Sequence, residues 1–148
     1  GCTGIDGGGC FQVLLVPHAQ HRGARHAACH VNHAEAKKFN FLDIVQQTLA
    51  GPETGLQTFE VWLMTLTPGN ESPPYKYPAE VVWVILKGSG RVTVDGNVAQ
   101  VGPNTTISMP TGSSRQLINT GSDELVMLTI RGLVPSQQSS PSGKNPGL

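Results

Sequence analysis

The sequence predicts an all-β fold, an antiparallel sandwich or barrel built from short strands. From Phe59 onward, apolar and polar residues alternate with period two in several short runs. The chain has 18 glycines and 11 prolines, many of which separate those runs. Asp95-Gly96 is in addition a dipeptide typical of a tight hairpin turn. This pattern favours many short strands over long helices.

Size and charge limit the classes of function. A chain of 148 residues forms one domain with a real core. Ten basic and ten acidic side chains give a formal net charge of zero, which argues against a nucleic-acid or membrane partner. The three cysteines lie in the first fifth of the chain without a CxxC pair, so a disulfide framework is not expected. We therefore predict a cytoplasmic location.

Residues 1–33 form a predicted arm that is rich in glycine and histidine. It holds all five histidines of the protein. In a helix, His26, His30 and His33 would share a face with Cys29, and such a cluster could bind Zn²⁺. The alternative is a loosely packed arm with solvated histidines, and both interpretations stay open.

Residues 34–55 are predicted to form one short helix and a connector. Asn40 is suited to the N-cap, Phe41, Val45 and Leu49 recur at helical spacing, and Gly51-Pro52 gives a stop signal.

The strands of the predicted barrel, residues 56–134, follow in order. They are FEVWLMTL from Phe59, VVWVILKG from Val81, RVTVDG from Arg91, NVAQVG from Asn97, TTISMP from Thr105, RQLIN from Arg115 and ELVMLTIRG from Glu124. Turn residues bound each run, and no helical pattern interrupts the series. Residues 135–148 have the composition of a flexible C-terminal tail.

Two spacings within this series are specific. The first is Gly69, five residues, Tyr75, Lys76, Tyr77, three residues, Val81, six residues and Gly88. The second is Pro110, Thr111, Gly112, two serines, Arg115, three residues and Asn119, with Asn104 six positions before Pro110.

These spacings resemble the two motifs of the cupin superfamily, G-x5-H-x-H-x3-E-x6-G and G-x5-P-x-G-x2-H-x3-N. The resemblance covers roughly residues 59 to 131 and implies a cupin-type jelly-roll, a double-stranded β-helix barrel. It also implies that chains of this kind commonly form homodimers through their sheets.

The resemblance implies that Tyr75, Tyr77, Val81 and Arg115 stand where typical cupins hold a metal. Valine has no donor atom, and a guanidinium repels a divalent cation. We therefore expect no metal and no other cofactor. A shifted register would bring in Glu80 as a ligand, but strand alternation sends Glu80 and Val81 to opposite faces and favours Val81 inside.

The altered positions predict a binding pocket for a small anionic or sugar-like molecule. Arg115 offers a fork for a carboxylate or phosphate, Tyr75 and Tyr77 add phenols, and Val81 and Trp83 supply apolar walls. The alternative is that Arg115 pairs with an internal acid and the tyrosines only fill the lumen.

Three functions stay open at this point. The first is a metal-independent binding protein for a small polar or anionic organic ligand. The second is a metal-independent enzyme similar to the sugar epimerases and isomerases among cupins, for which the sequence indicates no catalytic residue because every histidine lies outside the motifs. The third is a structural dimerisation barrel with a plugged lumen.

Overall fold

The computed structural model describes residues 11–13 and 28–135. The predicted C-terminal tail therefore lies outside the described residues, apart from residue 135, and so does most of the predicted arm. No helix in the described part of the chain is long and apolar enough to cross a membrane.

The described residues form twelve strands and two short 3-10 turns. The strands are β1 (Phe11–Val13), β2 (Ala28–His30), β3 (Lys38–Phe41), β4 (Ile44–Ala50), β5 (Phe59–Leu66), β6 (Tyr75–Lys76), β7 (Val81–Lys87), β8 (Gly90–Val94), β9 (Asn97–Val101), β10 (Thr105–Met109), β11 (Ser114–Asn119) and β12 (Leu125–Gly132). The 3-10 turns cover His33–Glu35 and Pro52–Thr54.

Two antiparallel sheets face each other in the jelly-roll predicted from the sequence. The larger sheet has six strands in the order β10-β7-β12-β5-β4-β3, and the smaller has four in the order β6-β11-β8-β9. All pairs are antiparallel. Strands β1 and β2 form a separate two-stranded ladder. The all-β prediction is confirmed.

Turn chemistry explains two of the chain reversals. Asp95 and Gly96 have φ of 48° and 82°, the positive values that a tight hairpin turn requires at both central positions, and they join β8 to β9. Gly88 has φ of 86°, and a Cβ there would lie 2.4 Å from the carbonyl oxygen of Glu124. Only glycine fits where the chain leaves the larger sheet.

The prediction of a short helix within residues 34–55 is wrong. Strands β3 and β4 form a hairpin there, and β4 pairs with β5 on its other edge. Leu42 and Asp43 both have positive φ, 51° and 63°, which makes a tight hairpin turn. The β-branched Ile44, Val45 and Thr48 suit a strand with two hydrogen-bonded edges. The stop signal at Gly51-Pro52 is correct, because β4 ends at Ala50.

The N-terminal region differs from two further expectations. Ala28–His30 is an extended strand, so the helical face of His30, His33 and Cys29 is not formed, while His26 lies outside the described residues. Cys29 is disulfide-bonded, contrary to the expectation of no disulfide framework. Cys2 and Cys10 lie outside the described residues.

The core lies between the two sheets and changes in character along the barrel. At one end, cross-strand partners are apolar: Leu66 faces Leu125, and Met64 faces Met127. Further along β5 and β12 the partners are Trp62 with Thr129 and then Glu60 with Arg131. The lumen is therefore hydrocarbon at one end and polar at the other.

Candidate functional site

The site is built around Arg115, whose side chain is only 2% exposed. A turn at Pro110–Ser113 precedes its strand, closed by a hydrogen bond from the Ser113 amide to the Pro110 carbonyl at 3.1 Å. Gly112, at φ 80°, donates its amide to the Tyr77 carbonyl at 2.9 Å. The hydrogen bond between Gly112 and Tyr77 links the second motif to the first. This link fixes where β11 begins.

Three aromatic rings surround the guanidinium group of Arg115. Its Cζ lies 5.5 Å from the ring centroid of Tyr75, 5.6 Å from that of Tyr77 and 5.8 Å from that of Trp83. Tyr75 is also the direct cross-strand partner of Arg115, which puts both side chains on one face. These distances are within the range of cation–π attraction. We call Arg115, Tyr75, Tyr77 and Trp83 the arginine cage.

The two tyrosines of the cage differ in what they offer a ligand. Tyr77 is 2% exposed, and its hydroxyl donates to the Gly132 carbonyl at 2.9 Å, so it presents its ring face to the cage. Tyr75 is half-buried, with its ring centroid 6.3 Å from that of Tyr77 at 37°. Tyr75 therefore stands at the more open side of the cage.

The four positions that typical cupins use for metal do not fit a divalent cation here. Val81 is buried at 2% exposure as expected and has no donor atom, while Arg115 brings a positive charge into the same space. Glu80 is exposed, as strand alternation predicts, and does not join them. Among residues 28–135, no group of three histidine, cysteine or acidic residues is placed to hold a metal.

A second buried charged cluster lies beside the cage and was missed by sequence reasoning. Glu60 and Arg131, each 1% exposed, form a buried ion pair. The guanidinium of Arg131 stacks over the rings of Trp62 and Tyr77, with Cζ 3.9 Å and 4.4 Å from their centroids. Tyr77 thus contacts both arginines. The sequence signal for this pair was an acidic residue in β5 and a basic residue in β12, each at a position that strand alternation directs into the barrel.

Burial and the nearby Arg131 both lower the pKa of Arg115. Desolvation, reinforced by the positive charge of Arg131, lowers the pKa of Arg115 from its usual value to about 10, although Tyr75 and Tyr77 oppose the shift. The group still carries its charge at neutral pH. A buried cation held in this way is available to an anion.

Several buried polar atoms of the lumen have no hydrogen-bond partner among the described residues. They are Thr48 Oγ1, Glu60 Oε2, Trp62 Nε1, Trp83 Nε1, Thr129 Oγ1, and Nε and Nη2 of Arg115. Such atoms are rare in folded proteins because each costs about 1–3 kcal/mol. Their concentration on the inner faces of β4, β5, β7, β11 and β12 marks the polar end of the lumen as a place for bound polar atoms.

Comparison with known proteins agrees with the jelly-roll fold. The family model described as a cupin domain matches residues 62–131. Auxin-binding protein 1 of Arabidopsis thaliana is 35% identical over 85 residues, 51% of this chain and 43% of that protein. The chain thus spans about half the length of the curated relatives it matches.

Solved structures show the same fold at lower identity. The cupin domain of Cnp3 from Schizosaccharomyces pombe has a TM-score of 0.67 at 15% identity, covering 84% of this chain and 86% of that one. A predicted oxalate decarboxylase from Thermotoga maritima has a TM-score of 0.64 at 19% identity, covering 70% and 97%. The motif spacings, the jelly-roll and the matching family model agree: residues 62–131 of this chain form a cupin domain.

Proposed function

We propose that this chain binds a small organic carboxylate in the barrel lumen without a metal, with Arg115 as the anion anchor. The observation that carries the proposal is a buried guanidinium against which no carboxylate of the described residues lies. Nε and Nη2 of Arg115 lack a hydrogen-bond partner among the described residues, whereas Arg131 has Glu60. A buried charge without a counter-ion is costly, and a bidentate carboxylate supplies that counter-ion.

The walls of the cage favour an organic acid over an inorganic anion. Tyr75, Tyr77 and Trp83 present ring surface around the guanidinium, and this surface covers the apolar body of a ligand. The similarity to proteins named for binding auxin, a class of small aromatic carboxylic acids, supports the same ligand class.

We propose metal independence because Val81 and Arg115, at two of the positions where typical cupins hold a metal, supply no donor atom for it. A carboxylate that a metal would otherwise hold is held here by a guanidinium group of fixed planar geometry, which is charged at neutral pH. Glu60 gives the lumen an acid, but its pairing with Arg131 favours binding over proton transfer. The enzymatic alternative therefore has less support than the binding function.

Calorimetric titration with indole-3-acetate, on protein dialysed against chelator, tests the proposal. We expect binding by the wild-type chain, a loss of about 2–5 kcal/mol in Arg115→Gln, and partial recovery in Arg115→Lys because a point charge cannot form two parallel hydrogen bonds. Arg91→Gln is the matched control, since Arg91 is exposed on β8. Binding that disappears with the chelator and returns with Zn²⁺ would contradict metal independence.

The plugged-barrel alternative makes the opposite prediction for the same variants. If Arg115 only packs against the rings of its cage, Arg115→Gln should lower the melting temperature strongly. No carboxylate should then stabilise the wild-type chain more than the variant.

Location and assembly are separate parts of the proposal. The disulfide at Cys29 is typical of oxidising compartments and does not support a cytoplasmic location. The homodimer implied by the family stays a prediction, which light scattering on the purified chain tests.

A further inference from the structure

One row of inward-facing side chains crosses four neighbouring strands of the larger sheet. Thr48 on β4 is the cross-strand partner of Trp62 on β5, Trp62 is the partner of Thr129 on β12, and Thr129 is the partner of Trp83 on β7. Directly opposed residues share a face of the sheet, with Cβ atoms about 4.5–5.5 Å apart. We call Thr48, Trp62, Thr129 and Trp83 the polar row.

Every member of the polar row has a buried polar atom without a hydrogen-bond partner among the described residues. Trp62, Thr129 and Trp83 are at most 1% exposed, and Thr48 is half-buried with a buried hydroxyl. Single unpaired groups occur in folded proteins, but four in one continuous row multiply the free-energy cost of leaving a buried polar group unpaired. An oxygen-bearing occupant of the lumen removes that cost.

The chemistry of the row selects the kind of group that it binds. An indole N–H only donates, and a threonine hydroxyl either donates or accepts. The partner of Trp62 and Trp83 must therefore be an acceptor, which means an oxygen of a hydroxyl, a carbonyl or water. An apolar ring placed here would leave the donors unpaired, and a cation would meet two donor-only groups.

The polar row and the arginine cage share Trp83. Its ring centroid lies 5.8 Å from the Cζ of Arg115, while its cross-strand partner Thr129 belongs to the row. A carboxylate paired with Arg115 therefore lies beside the end of the row. In a 2-hydroxy or 2-oxo acid, a second oxygen is bonded to the carbon next to that carboxylate.

Building on the proposed carboxylate function, we propose that the polar row is a specificity subsite for the 2-oxygen of a 2-hydroxy or 2-oxo carboxylic acid. Arg115 binds the carboxylate of such an acid, and Trp83 and Thr129, the two members of the row next to the cage, bind its second oxygen. The row then discriminates by leaving its donors unpaired when an acid lacks that oxygen, a penalty that rejects analogues more strongly than a missing methylene does.

Two acids that differ by one oxygen test the inference: 2-hydroxy-3-phenylpropanoate and 3-phenylpropanoate. We expect the wild-type chain to bind the hydroxy acid at least about tenfold more tightly. Thr129→Val keeps the side-chain shape and removes the hydroxyl, so the preference should shrink several-fold while the affinity for 3-phenylpropanoate stays within about twofold. Thr65→Val is the matched control, because Thr65 lies on β5 in the outward phase, and it should leave both affinities unchanged.

The outcomes separate this inference from the function on which it rests. Equal binding of both acids by the wild-type chain overturns the subsite and leaves the carboxylate function intact, whereas binding of neither acid overturns both. If Thr129→Val raises the melting temperature and leaves the preference for the hydroxy acid unchanged, the polar row binds water rather than the ligand. This result also overturns the subsite. If Thr129→Val does not fold, the wild-type preference between the two acids decides by itself.

Discussion

Replacing Glu60 by leucine should destabilise the fold strongly, because it leaves the buried charge of Arg131 without its carboxylate. Both residues are 1% exposed, and removing one partner of such a pair costs about 3–5 kcal/mol. The double variant Glu60→Leu, Arg131→Met removes both charges and forfeits the cation–π contacts of Arg131, worth about 0.5–2 kcal/mol. We therefore expect the double variant to lie within about 2 kcal/mol of the wild-type chain and above the Glu60→Leu variant.

Urea unfolding followed by tryptophan fluorescence measures these free energies. The protein has only two tryptophans, and both are buried in the lumen at 1% exposure or less, so the signal reports on this region. Glu80→Leu is the control, since Glu80 is exposed and should change stability by no more than about 0.5 kcal/mol. A loss of less than about 1 kcal/mol in Glu60→Leu, or a double variant no more stable than the single one, would show that Glu60 does not compensate a buried charge on Arg131.

Two further predictions concern charge and backbone. The affinity for a carboxylate should be constant from neutral pH to about pH 9 and should fall above about pH 10. The reason is that burial lowers the pKa of Arg115 to about 10 and that binding requires the charged guanidinium. Calorimetric titrations across this pH range measure the change in affinity. In the ligand-free chain, Arg115 loses its proton near pH 10 in the folded state and only at higher pH in the unfolded state, so its contribution to stability rises as the pH increases above about 10. Gly88→Ala should cost at least about 1–3 kcal/mol from its positive φ alone, and more from the contact with Glu124; urea unfolding measures the loss.

The barrel strands could be predicted from the sequence because period-two alternation and turn residues agree at each of them. The run from Phe59 matches β5 at both ends, and the Asp95-Gly96 turn lies where predicted. The hairpin of β3 and β4 could not be predicted, because its turn uses Leu42 at φ 51°, a residue that local preference disfavours there. Pairing with β5 overrides that preference.

The arginine cage could be predicted because motif spacing fixes which residues of neighbouring strands point inward. Tyr75, Trp83 and Arg115 come together as the two spacings imply. Glu60 and Arg131 are separated by 71 positions in the sequence. Alternation within a strand predicts which side chains point into the barrel, but it does not predict which strands pair. The contact between these two charges could therefore not be predicted without knowing that β5 pairs with β12.

The charges of the lumen support a ligand with one carboxylate. In the part of the chain that the structure describes, the buried charged side chains are Glu60, Arg115 and Arg131, which sum to one positive charge. Glu60 neutralises Arg131, and the pair lies close enough to Arg115 for Arg131 to depress its pKa. One carboxylate at Arg115 brings the lumen to neutrality, whereas a second anionic group would have no positive charge left to pair with. Because an unpaired charge is costly in a desolvated space, these charges fit the proposed ligand best if it is a monocarboxylate whose other polar atoms are neutral oxygens.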